Sequence, residues 1–184
     1  MELIKEIKQS KILRNVLIAL MSTVLLAISS KIKIPFYPVP MTMQTLVVLF
    51  LGIALGWKLG VVTVTLYLFE GIIGLPVFSG TPEKGIGIVY FTGPTMGYLI
   101  GFIFTVYFAG SFNFSKNLFM KFFQLIFSVS FIYIFGILWL GTLIGWEKPL
   151  FQLGVQPFLL AELFKILIVL ISFSQIKKIK KYLE

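Results

Sequence analysis

Residues 122–143 read FFQLIFSVSFIYIFGILWLGTL, with not one charged side chain among them. A helix that crosses a bilayer needs about 20 mostly apolar residues, and this stretch supplies them with apolar groups all the way round, as lipid requires. Five further stretches read the same way: 12–29, 42–55 (short), 59–73, 94–109 and 156–173. The whole chain agrees with them. It is 58% hydrophobic and 12% charged, with mean hydropathy +1.00, whereas a soluble domain carries about 25% charged residues. The expected fold is an all-α membrane protein: one integral domain over 1–184, with six transmembrane helices and structured extracellular loops capping an outward-facing pocket. The first apolar stretch lacks a small-residue cleavage site after it and reads as a retained helix.

Six spans put both ends of the chain on one side. That side holds Lys5, Lys8, Lys11, Arg14, Lys58, Lys116, Lys121, Lys177, Lys178, Lys180 and Lys181. The other holds Lys31, Lys33, Lys84 and Lys148, beside Glu83 and Glu147. Basic residues concentrate on the cytoplasmic side of membrane proteins, so both termini are expected to be cytoplasmic. The net charge of +9 is a membrane-flank distribution and not a nucleic-acid-binding stripe. Neither Cys nor His occurs, which removes disulfides, thiol nucleophiles, Ser-His relays and the usual zinc sites. No metal or cofactor is expected. No GxxxxGK[ST] loop is present either, so an ATP-driven step needs a partner.

The outer loops are unusual. Residues 31–41 (KIKIPFYPVPM) hold three prolines and two aromatics, and 75–93 are rich in turns and aromatics. Non-helical backbone at membrane depth survives where it packs on protein or lines a cavity, and both loops are expected to cap a pocket. Beneath them lie several polar side chains. Thr42 fits a helix cap. Gln44, one turn inside, either bonds a neighbouring helix or contacts a ligand. Tyr98 is either an interfacial aromatic or a hydroxyl aimed into the pocket. Gly93, Gly97 and Gly101 make a smooth face suited to close helix packing. Glu162 and Lys165 share a helix face. Roughly 14 Å of helix separates Gln156 from Lys165, which puts two charges near mid-membrane, where they must pair and face inward. That pair reads as a functional site or as a structural clasp. Glu70 is expected to reach the outer interface. Ala19, Thr23 and Ala27, four apart, read as internal packing or as a contact for another membrane subunit. Trp57, Trp139 and Trp146 read as interface anchors.

In order and spacing, residues 38–46 (PVPMTMQTL), Leu55-Gly56, 71–78 (GIIGLPVF), 93–102 (GPTMGYLIGF) and 157–165 (PFLLAELFK) resemble BioY, the biotin-specific substrate-capture (S) component of energy-coupling-factor transporters. The resemblance covers about 38–165. It implies a prokaryotic cell-membrane protein that takes biotin from outside, with a site under the first and third outer loops. It also implies a transmembrane coupling protein and a pair of cytoplasmic ATPases as partners. The family usually carries Asp where Glu162 stands, and alanines four apart where Thr23 interrupts. Biotin needs an acceptor for its ureido N–H groups, a donor for its ureido carbonyl and an apolar wall. Glu162 suits the first and Lys165 the second. Phe78, Tyr98 and Phe36 are candidates for the wall, and Gln44 or Tyr98 for the carboxylate end. Alternatives are capture of thiamine or riboflavin, an enzyme limited to carboxylate or Lys chemistry, or a structural membrane subunit.

Overall fold

The computed structural model describes residues 2–83 and 85–183, with the backbone alone for residues 2–9. Lys84, and the side chains of Lys5 and Lys8, which entered the charge comparison, lie outside this description. Helix α1 (Glu2–Lys31) continues the first apolar stretch toward the N-terminus through its polar residues. A two-residue hairpin follows, β1 (Lys33–Ile34) paired antiparallel to β2 (Met41–Thr42). Then come α2 (Gln44–Ile72), a 3₁₀ segment Gly87–Thr92, α3 (Met96–Ser111), α4 (Leu118–Ile144), the short α5 (Leu150–Gly154), α6 (Leu159–Ile171) and α7 (Phe173–Leu183).

Helix α2 is a hairpin. Its backbone breaks at Gly56, with φ 72° and ψ 170°, a region open in practice only to glycine. In a straight helix Gln44 and Tyr67 would stand about 35 Å apart, yet the Gln44 amide donates to the Tyr67 hydroxyl at 2.8 Å. The limbs 44–55 and 57–72 therefore lie side by side, matching the second and third expected spans. Four helical stretches are long and apolar enough to cross a membrane, Ser10–Lys31, Gln44–Ile72, Leu118–Ile144 and Leu150–Ile171, with Met96–Ser111 shorter. With α2 doubled back, these make six segments.

Their directions follow from side-chain bonds. Thr23 donates to Glu70, Ser30 to the Val77 carbonyl and Lys31 to the Phe78 carbonyl, each pair 47 residues apart. A constant offset means that α1 and the second limb of α2 run parallel. Between α3 and α4 the offset reverses: Gly97 packs on Phe135 and Trp139, Gly101 on Ile132, and Thr105 bonds Ser128. These helices are antiparallel, and the two glycines admit α4 backbone where a Cβ would collide with it. Close approach of this kind is how helices gain packing energy where lipid offers no hydrophobic drive.

The bundle turns apolar side chains outward, as in Met21 (75% exposed), Phe119 (69%) and Ile171 (79%). Its interior centres on Leu26, Val48, Leu49, Val64, Tyr67, Val106 and Leu125. At one end Arg14 donates to the Leu183 carbonyl at 2.8 Å, so the start of the first apolar stretch and the end of α7 meet there. Helix α7 was not expected from the sequence. The sixth span stops at Ser172, and the lysine-rich remainder forms a separate helix against α2.

Candidate functional site

At the opposite end, between the loops and the helices, lies a small cavity. It forms because backbone from the first loop reaches inward to the middle of α6. Lys165 stands at the midpoint of that helix and donates to the Thr42 carbonyl at 2.7 Å. The same ammonium donates to Glu162 Oε1 at 2.6 Å. Both residues are buried, at 4% and 6% exposure. Glu162 sits in the first turn of α6, where the helix dipole favours an anion. Glu162, Lys165, Gln44 and Tyr98 all line the cavity, so four of the five expected ligand residues converge.

The fifth does not line it. The Phe78 ring lies behind the wall, stacked on Tyr90 at 4.8 Å, edge-on to Tyr67 and Phe91, and seated on Gly71. It is the core of the second outer loop. Phe36 is also absent from the lining and packs edge-on against Phe158, which does line it. The roof comes from 39–42 and from Ser79, Tyr90 and Thr95, that is, from the first and second outer loops and not the first and third. The third outer segment contributes support: the Tyr98 hydroxyl donates to the Gly154 carbonyl at 2.9 Å. Its single proton is thereby used, and the residue lines the cavity.

Several lining residues had no signal in the sequence. Tyr133 stands beside the Glu162 carboxylate and stacks on Phe158; within an all-apolar span it reads as one more aromatic. Ser79 comes from a Gly- and Pro-rich loop, where serine is ordinary. The loop is held firmly. Tyr90 donates to the Ser79 carbonyl at 2.7 Å, and burial pushes the Tyr90 phenol up, so it remains a protonated donor. Tyr67 and Ser30 both donate to Val77, and Lys31 to Phe78 and Thr81.

Two polar atoms stand out. Ser79 Oγ and Glu162 Oε2 are fully buried without a hydrogen-bond partner, and both residues line this cavity. A buried polar group left unpaired costs about 1–3 kcal/mol. Lys165, with three donors, has used two. The cavity thus presents an anionic acceptor, a hydroxyl and one ammonium proton against walls of Tyr98, Leu99, Phe102, Tyr133 and Phe158.

Away from the cavity, Glu70 does not point to the outer interface but turns toward α1 and accepts from Thr23 at 2.8 Å. Thr23 and Ala19 are accordingly buried within the chain, at 2% and 3% exposure, and Ala27 partly so. These three residues pack inward. The lipid-facing side of α1 carries Leu17, Met21, Val24 and Ile28 instead. Of the tryptophans, Trp139 bonds the Gly93 carbonyl, while Trp57 and Trp146 are exposed.

A BioY family model matches residues 4–182. Among curated relatives, the probable biotin transporter BioY of Pyrococcus horikoshii is 33% identical, over 77% of this chain and 82% of its own. The biotin transporter BioY of Thermotoga maritima is 30% identical, over 91% and 98%. In three dimensions the chain is similar to the crystal structure of the S-component for biotin from an ECF-type ABC transporter. The TM-score is 0.75 and the identity 26%, with 94% and 93% of the two chains covered.

Proposed function

This chain belongs to the BioY family, and from that premise we propose that it captures biotin and delivers it across the membrane as the S component of an energy-coupling-factor importer. It is a multi-pass membrane transporter subunit and not an enzyme. The observation that carries the ligand assignment is the pair of partnerless atoms, Ser79 Oγ and Glu162 Oε2, buried in one cavity with Lys165. A cyclic urea offers two N–H donors and one strong acceptor. Glu162 Oε2 accepts one N–H, Lys165 gives its remaining proton to the ureido oxygen, and Ser79 bonds the other polar edge. The apolar rings of the ligand lie against Tyr98, Tyr133 and Phe158. Gln44 supports the site from below, its amide fixed between Thr42 and Tyr67.

The chain carries no ATP-binding loop, so energy comes from a transmembrane coupling protein and a cytoplasmic ATPase pair. The pocket opens outward and both termini are cytoplasmic, as the charge distribution favours. Calorimetric titration of the purified protein with biotin, thiamine and riboflavin tests the assignment. Saturable binding of biotin alone supports it, and binding of another vitamin in preference to biotin overturns it.

A further inference from the structure

We propose that the end of the bundle where Arg14 meets Leu183 is a binding site for the headgroup of an anionic phospholipid, centred on Lys121 and Lys177. The two ammonium groups come from different helices, α4 and α7, and approach one ring: Lys121 Nζ lies 4.9 Å and Lys177 Nζ 5.4 Å from the Phe173 centroid. Among the described residues neither is ion-paired. Lys178, Lys181 and Arg14 are exposed at the same end. Among the described side chains the acidic residues are Glu70, Glu83, Glu147 and Glu162, all toward the opposite half, while Glu2, Glu6 and Glu184 lie outside that description. Among the described side chains no acid stands beside these like charges, which favours an anion from outside them.

Two observations fix its source. The apolar side of α7 is already used: Phe173 and Ile176 are 5% and 2% exposed, with Phe173 edge-on to Phe114 at 5.0 Å. The helix is therefore docked on protein through Phe173 and Ile176, with Lys177, Lys178 and Lys181 exposed. Beside Lys121, by contrast, Leu118, Phe119, Met120 and Phe123 are all exposed. Apolar surface gives way to positive charge within one helical turn. A soluble anion needs no such boundary, but a phospholipid does, with its tails along the aromatics and its phosphate between the lysines. Basic side chains at this depth bind anionic lipid with about a fivefold gain each.

Native mass spectrometry of the full chain in mild detergent, with equal phosphatidylglycerol and phosphatidylcholine, tests this. Retention of phosphatidylglycerol over phosphatidylcholine is expected. It should fall at least tenfold in Lys121→Gln/Lys177→Gln and persist in Lys121→Arg/Lys177→Arg. Equal retention of the two lipids by the wild type overturns the proposal, as does an unchanged preference in the glutamine variant. Displacement of the lipid by equimolar glycerol phosphate would also overturn it, by indicating a site for soluble phosphate esters. Biotin titration of each variant serves as the folding check. The lipid preference stands or falls separately from the identity of the vitamin.

Discussion

At the scale of single residues, the Glu162–Lys165 pair separates binding from stability. Removing one member leaves the other as an uncompensated buried charge, which costs about 3–5 kcal/mol, whereas replacing both by apolar groups of similar size is often neutral or stabilising. Lys165→Met alone should therefore melt well below the wild type, while Glu162→Leu/Lys165→Met recovers most of the loss. Neither variant should bind biotin in a calorimetric titration; a double variant that still binds would move the site elsewhere. Ser79 gives the complementary case. Its hydroxyl has no partner within the protein, so Ser79→Ala should leave the melting temperature of the ligand-free protein equal to or above that of the wild type. Biotin affinity should drop about fivefold, the worth of one hydrogen bond. Loss of stability without loss of affinity would show the hydroxyl to be structural. The charged pair was legible in the sequence because two charges of opposite sign, three apart in an apolar run, contrast with every neighbour. Ser79 and Tyr133 were not, since a loop serine and one aromatic among many carry no such contrast. Phe78 was misplaced for a related reason: a large buried ring supports a loop core as readily as a pocket wall, and only its contacts with Gly71, Tyr67 and Tyr90 distinguish the two.

At the scale of elements, glycine placement governs the packing. At Gly97 a methyl group would run into the Phe135 carbonyl and the Trp139 side chain. Backbone cannot step aside as a flexible side-chain tip can. Overpacking of this kind costs about 1–3 kcal/mol or more. Gly97→Val should lower the melting temperature and, by pushing α3 from α4, weaken biotin binding through the adjacent Tyr98. A variant as stable as the wild type, with unchanged affinity, would show that the interface yields. The glycine spacing in 93–102 made this contact readable in advance. The break at Ser172 was not readable, because Phe173 and Ile176 continue the apolar pattern of α6 and only packing against α2 and Phe114 redirects them.

At the scale of the whole molecule, the chain has no cysteine, so any cysteine introduced is a unique reporter. Ser174→Cys on α7 and Glu83→Cys in the second outer loop, both exposed positions, should differ in intact cells. A membrane-impermeant maleimide is expected to label the second and to reach the first only after lysis. The reverse pattern would invert the protein in the membrane. Segment count was legible because apolar length is an average over many residues, which tolerates local error. The loop that roofs the cavity was not, since it depends on individual bonds such as Lys31 to Phe78 and Tyr90 to Ser79.

The hairpin at Gly56 has a consequence for biogenesis. The limb 44–55 is twelve residues long, about 18 Å of helix, against a hydrocarbon layer of about 30 Å. It also begins with Gln44, whose amide would meet the acyl chains unsatisfied until Tyr67 arrives. Such a limb is a poor candidate to leave the translocon by itself. It has to wait for the second limb and enter with it as one preformed unit, so that the nascent chain commits the floor of its binding site and two of its crossings in a single insertion event.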